Sequence, residues 1–179
     1  GAVATGADVN ISGTVNADSA GNNRSLEIDA GTAGVVTLTD TVGATQSLLG
    51  LTLTGSTLNI NGGSVTTSGD QTYSGAVSIG TATVLTGASL TFNGSVDGNI
   101  DLSIDGSGTT TFNNAVGAVV PLASLALTNG GGLLRINGGS IITTGMQTYN
   151  DDVTLGNAAL LTAGNSLTLN GSVTSTEAD

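Results

Sequence analysis

An eight-residue segment occurs twice in this chain, and the distance between its two copies constrains the fold more than any other feature. LNINGGSV occupies residues 58–65, and LRINGGSI occupies residues 134–141, 76 positions later. The similarity continues beyond the segment: when residues 60–87 are aligned with residues 136–163, 15 of the 28 positions are identical. The 179-residue chain therefore contains a long repeat unit, with a partial copy at roughly 1–59, a full copy at 60–135 and a partial copy at 136–179.

A shorter phrase recurs inside this unit. It consists of an apolar lead residue, a small polar residue, two or three further small residues and then Val or Ile, as in YSGAV at 73–77 and FNGSV at 92–96. From residue 60 onward the lead residues are Ile60, Tyr73, Phe92, Phe112, Ile136, Tyr149 and Leu169. Several successive leads are 19 or 20 positions apart. A fixed period of about 20 residues is typical of solenoids.

The local pattern around these phrases is that of β-strands. LTLT at 51–54 and LTFN at 90–93 alternate apolar and polar residues, which indicates strands with one buried face. Gly and Asn between them mark turns, and no segment has the 3.6-residue period of a helix. One coil is too small to bury its own apolar residues, whereas a stack of coils gives a continuous core. We therefore expect an all-β, parallel β-solenoid over residues 1–179, with about 20 residues per coil and roughly nine coils. A tandem β-sandwich would explain the long repeat unit but not the shorter phrase.

Composition favours a thin, aliphatic core. Only 8% of residues are charged, against about 25% in ordinary domains, and 2% are aromatic. Because 38% are hydrophobic, the chain has enough apolar surface to fold. The pattern is already under way at both termini, so we expect the chain to be a fragment of a longer repetitive protein.

Charge excludes several classes of partner. The net charge is −11, and Arg24 and Arg135 are the only cations. Nucleic-acid binding and attraction to an anionic membrane both need clustered Lys and Arg. No stretch approaches the ~20 apolar residues of a membrane span, so we expect no membrane insertion by this segment. The absence of Cys removes disulfides and thiolate metal sites.

Small polar residues follow the lead residues throughout the chain. They are Ser12, Thr39, Asn61, Ser74, Asn93, Asn113, Asn137, Asn150 and Asn170. We expect the Asn side chains to stack along the axis and to bond to one another, as in cross-β ladders. Asn also tolerates the left-handed backbone conformation that corners can require. A polar binding row is the alternative interpretation.

Acidic residues are the main candidates for chemistry, since His, Cys and Lys are all missing. Asp151 and Asp152 are adjacent, would point to opposite sides of a strand, and are interpreted as a solvated loop pair. A carbohydrate-active site needs two converging carboxylates, which Asp97, Asp101 and Asp105 supply only loosely. We therefore predict no catalytic residue, no metal ligand and no cofactor.

Two other residue sets have specific interpretations. DGNID at 97–101 is a weak cluster of oxygen ligands for calcium, and a turn is favoured because neither the nonapeptide calcium repeat nor an EF-hand loop is present. Tyr73 and Tyr149 occupy equivalent lead positions, so we expect both in the core rather than in a ligand site.

Threonine pairs suggest an ice-binding array but have the wrong spacing. Such an array needs one pair per coil at a constant position, whereas these pairs are 29 and 28 positions apart, out of step with the period of the shorter phrase. The pairs are Thr52/Thr54, Thr81/Thr83 and Thr109/Thr111.

The repeats resemble those of a known class of exported proteins. QTYSGAVSIGTATVLTG at 71–87 and LTLTG at 51–55 are similar to repeats in passenger regions of bacterial autotransporters and in filamentous-haemagglutinin-type adhesins. The resemblance implies a right-handed parallel β-helix, export from a Gram-negative cell, and a stalk or adhesive fibre at the cell surface. The implied partners are neighbouring repeats, other copies in a fibre, and a receptor or glycan. A lateral face that binds glycan or ice, and a polysaccharide-degrading enzyme, are the alternative functions.

Overall fold

The computed structural model describes residues 5–19 and 24–176, over which the chain forms 19 β-strands. They are β1 (Val9–Ile11), β2 (Ser25–Asp29), β3 (Val35–Leu38), β4 (Gly50–Ile60), β5 (Ser64–Thr66), β6 (Gln71–Ile79), β7 (Thr83–Gly87), β8 (Leu90–Phe92), β9 (Val96–Asp97), β10 (Asp101–Gly106), β11 (Thr109–Phe112), β12 (Ser124–Leu127), β13 (Leu133–Ile136), β14 (Ser140–Thr143), β15 (Gln147–Tyr149), β16 (Asp152–Leu155), β17 (Leu160–Ala163), β18 (Leu167–Leu169) and β19 (Val173–Ser175). Over the same residues we find no helix that could span a membrane.

The strands stack as about 7 coils, each of which turns through three faces. Face A contains β2, the start of β4 and β6, β8, β11, β13, β16 and β19. Face B contains β1, β3, the ends of β4 and β6, β9, β14 and β17. Face C contains β5, β7, β10, β12, β15 and β18. Strands β4 and β6 are long because each continues round the corner between faces A and B. The predicted parallel β-solenoid is thus confirmed.

One inward column on face A gives the length of each coil. Its residues are Ile28, Leu53, Tyr73, Phe92, Phe112, Ile136, Leu155 and Ser175. The successive differences between these residue numbers are 25, 20, 19, 20, 24, 19 and 20. The two long coils contain the loops at 43–47 and 117–121, which follow Val42 and Val116. The expectation of nine coils was too high, because these loops lengthen two coils and residues 5–19 contribute only part of another.

The core is one narrow column of apolar side chains that passes from coil to coil, from Ala17 to Val153. Tyr73, Phe92 and Phe112 are fully buried and lie one above another. The ring centroids of Tyr73 and Phe92 are 4.9 Å apart, and those of Phe92 and Phe112 are 5.0 Å apart. These separations match the distance between neighbouring strands, so the aromatic residues follow the stacking of the backbone.

The long repeat unit does not contain a whole number of coils. Tyr73 lies on face A, whereas its equivalent Tyr149 lies on face C, paired with Leu127. Three coils lead from Tyr73 to Ile136, and the short remaining stretch from Ile136 to Tyr149 covers two further faces. A unit therefore spans three coils of three faces and two further faces, eleven faces in all. This is one face short of four full coils, so equivalent residues of successive units lie on neighbouring faces.

Candidate interaction surfaces

Two identical polar clusters lie inside the core. The hydroxyl of Tyr73 donates to Oε1 of Gln71 at 2.6 Å, while Nε2 of Gln71 donates to the carbonyl of Thr86 at 2.8 Å and to Oγ1 of Thr67 at 3.1 Å. Burial raises the pKa of the Tyr73 hydroxyl far above its ordinary value. The cluster is closed to solvent and its hydrogen bonds are satisfied, so it stabilises the coil and offers nothing to a ligand.

The second cluster repeats this arrangement in the next unit. The hydroxyl of Tyr149 donates to Oε1 of Gln147 at 2.8 Å, and Nε2 of Gln147 reaches Oγ1 of Thr143 at 3.3 Å. Both tyrosines are buried, as predicted. The buried glutamines were not anticipated, although the recurrence of QTY at the same distance after a threonine was visible in the sequence.

The three acidic residues of the segment 97–105 do not converge. Asp97 accepts hydrogen bonds from the backbone of residues 119 and 120, while Asp101 accepts one from Oγ of Ser124 at 2.6 Å. Asp101 and Asp105 share the outer side of β10 but are four residues apart, which is roughly 13 Å along a strand. That exceeds the separation of the two carboxylates in retaining and inverting glycosidases.

Asp151 and Asp152 have different environments, and the interpretation of both as a solvated pair was wrong. Asp151 is 2% exposed, and its Oδ1 accepts hydrogen bonds from the amides of Gly130 at 2.9 Å and Gly132 at 3.2 Å. These two hydrogen bonds hold the loop before β13 in place. Asp152 is exposed and accepts bonds from both the amide and the hydroxyl of Ser172, which lower its pKa. Both carboxylates are thus used in contacts between coils.

No metal site is evident over the described ranges. These residues contain no group of three or more His, Cys, Asp or Glu side chains that could hold an ion. A groove of about 390 Å³ that is open to solvent lies beside Leu49 and Asp70. Asp70, the charged residue of its lining, accepts the amide of Ser89 through Oδ1 at 3.0 Å.

Asparagine ladders run along the outside, as expected, but on separate corners. At the corner between faces A and B, Nδ2 of Asn137 donates to Oδ1 of Asn113 at 2.8 Å, and Nδ2 of Asn113 donates to Oδ1 of Asn93 at 2.9 Å. At the corner between faces C and A, Asn170 donates to Asn150 at 2.8 Å. The expectation that Asn adopts the left-handed backbone conformation at these corners was wrong, since the described residues with positive φ are all glycines. Asparagine stabilises these corners through its side-chain bonds.

A row of outward-facing threonines runs along face A from coil to coil, with one side chain in each of several coils. Its members are Thr52, Thr72, Thr91, Thr111, Thr154 and Thr174, interrupted by Arg135 between Thr111 and Thr154. This threonine row was not predicted, because the threonine pairs visible in the sequence lie within single strands, whereas the row runs across strands. The signal was a Thr immediately before the lead residues Tyr73, Phe92 and Phe112. The predicted misalignment of the pairs is confirmed, since Thr83 is buried on face C.

Positive charge is sparse on this surface. Arg24 pairs with Asp18 at 3.1 Å, whereas Arg135 makes no ion pair with any residue in the described ranges. The faces are therefore polar, mostly uncharged and rich in hydroxyl and amide groups.

Comparison with known proteins does not identify a family for this chain. No family model, curated protein or solved structure matches the chain.

Proposed function

We propose that this chain is a structural segment of a bacterial surface or secreted adhesin, in which a stack of coils forms a stalk or adhesive fibre. The observation that supports this proposal most strongly is the single core, which continues from coil to coil between Ala17 and Val153, while the described residues contain no group of three or more His, Cys, Asp or Glu side chains that could hold a metal ion. Each coil adds about 4.8 Å to the stack, so the amount of sequence determines the distance spanned. A stalk needs this proportionality between the number of residues and the distance that the rod spans.

Removal of one unit tests the role of length. Deletion of residues 60–135 joins Asn59 to Ile136, which continues the same motif with an equivalent residue. The unit spans eleven faces, or three and two-thirds coils, so the rod should shorten by about 18 Å. Electron microscopy of the purified full and shortened chains measures this change.

The cellular part of the proposal has its own test. Antibodies against the segment should label intact cells of the source bacterium, and external protease should remove the label. Cells that carry the shortened protein should stay surface-labelled but attach less well, whereas a variant with altered side chains on face C and full length should attach normally. Labelling that requires permeabilised cells would contradict the proposal.

The threonine row supports a second candidate, a lateral face that binds glycan or ice. Its hydroxyl groups repeat along face A at the strand spacing of about 4.8 Å from Thr52 to Thr111. Replacement of Thr72, Thr91 and Thr111 by Lys should abolish glycan capture or inhibition of ice growth, while replacement of Ser103 and Thr148 on face C should leave either activity intact. Equal effects of the two sets, or no activity in the unaltered chain, would exclude this candidate.

A further inference from the structure

Asparagine followed by glycine occurs five times in the chain, at Asn61, Asn93, Asn129, Asn137 and Asn170. This dipeptide is prone to spontaneous deamidation, because glycine has no side chain to hinder attack by its own backbone nitrogen on the preceding amide. The structure restrains these five side chains to different degrees. We propose that Asn61 is the principal deamidation site of the folded protein, and that the asparagine ladder protects its equivalent, Asn137.

The reaction needs the side chain to leave its position on the corner. The nitrogen of Gly62 gives up its proton to base and attacks Cγ of Asn61, so that an N–Cγ bond forms while the Cγ–Nδ2 bond breaks and ammonia leaves. A water molecule then opens the resulting succinimide at either carbonyl. The product is aspartate or isoaspartate, and the latter inserts an additional backbone atom into the coil.

Asn61 and Asn137 form a matched pair. They occupy the same place in the repeated segment, and each lies below a glycine, Gly80 or Gly156, on which a Cβ atom would overlap the asparagine Oδ1. The amides of Gly62 and Gly138 make no hydrogen bond with any residue of the described ranges. The attacking nitrogen is thus equally available in both.

The coil below distinguishes the two sites. Asn137 lies above Asn113 and donates to its Oδ1 at 2.8 Å. Asn61 lies above Thr39, whose hydroxyl instead donates to the carbonyl of Ile11 at 3.0 Å. The side-chain amide of Asn61 is exposed and has no hydrogen bond to the described parts of the chain. It can therefore rotate toward Gly62 without breaking a hydrogen bond to those residues.

The remaining sites are restrained in other ways. Asn93 and Asn170 both donate within ladders. At Asn129 the attacking group itself is occupied, because the amide of Gly130 donates to the buried carboxylate of Asp151 at 2.9 Å. Among these five asparagines, all within the described ranges, Asn61 alone has both its side chain and the following amide free.

The test measures deamidation at each site in the purified full chain, held in mildly alkaline buffer and sampled over time. Peptide mass spectrometry detects the replacement of nitrogen by oxygen. We expect Asn61 to react about fivefold faster than Asn137, the factor that one hydrogen bond of ordinary net strength contributes. Equal rates at the two sites would overturn the proposal.

A reciprocal exchange locates the cause. Thr39→Asn should slow Asn61 to the rate of Asn137, and Asn113→Thr should accelerate Asn137. In concentrated urea the two sites should react at the same rate, because their local sequences match. If the rate difference persists in urea, or does not follow the exchange, the ladder is not the protecting element.

Discussion

Replacement of Phe92 by Ala tests whether the stack of aromatic rings is a shared core. Phe92 is fully buried, and its ring lies 4.9 Å from Tyr73 and 5.0 Å from Phe112. A buried Phe→Ala change costs about 3–5 kcal/mol, and each ring contact adds about 0.5–1.5 kcal/mol beyond its buried area. We therefore expect the free energy of unfolding to fall by about 5 kcal/mol. This is a large part of the stability of an ordinary domain.

The repeat supplies a control for this variant. Leu169 is the equivalent of Phe92 in the following unit, but it lies in the last described coil and is 39% exposed. Leu169→Ala should therefore cost at most about 2 kcal/mol, below most buried Leu→Ala changes.

Equilibrium unfolding in urea, followed by far-ultraviolet circular dichroism, gives both values. Stability in a solenoid is a sum over neighbouring coils, so the Phe92 variant should also show a broader or divided transition. If the two variants lose the same stability, or Phe92→Ala loses less than about 2 kcal/mol, the inference of a shared column is wrong.

Three further predictions concern Thr110, two glycines of the short phrase and the two buried tyrosines. Thr110→Val should stabilise the chain by about 1 kcal/mol in urea unfolding, since the buried Thr110 hydroxyl has no hydrogen-bond partner among the described residues. Gly94→Ala should cost at least about 2 kcal/mol, because its Cβ would overlap a carbonyl of the coil below. At the same place in the phrase, Gly13→Ala should change stability by less than about 0.5 kcal/mol, because nothing lies near that Cβ. Burial raises the pKa of Tyr73 and Tyr149, so the unfolded chain loses these protons first, and stability should fall as the pH rises above about 10. Tyrosinate absorbance should then appear together with unfolding, and a variant with Phe at both positions should lose this part of the alkaline sensitivity.

Much of the core could be predicted from sequence because its signal is local. The lead residues and the alternation in LTLT or LTFN show which side chains point inward, and Tyr73 and Tyr149 were placed correctly. The exposure of Asp151 was predicted wrongly because its environment depends on residues distant in the sequence. Its partners are the amides of Gly130 and Gly132 in the coil below, and no pattern near Asp151 indicates them.

The sequence alone determined that the chain winds into stacked parallel coils, because a short period, strand-like alternation and a thin aliphatic composition leave few other ways to bury apolar surface. Tertiary structure decided which residues lie above one another. Coils differ in length along the stack, so the vertical neighbour of a residue depends on where loops such as 117–121 occur. The rotation of successive units, the threonine row and the exposed amide of Asn61 all follow from this vertical register, which backbone hydrogen bonds between coils establish.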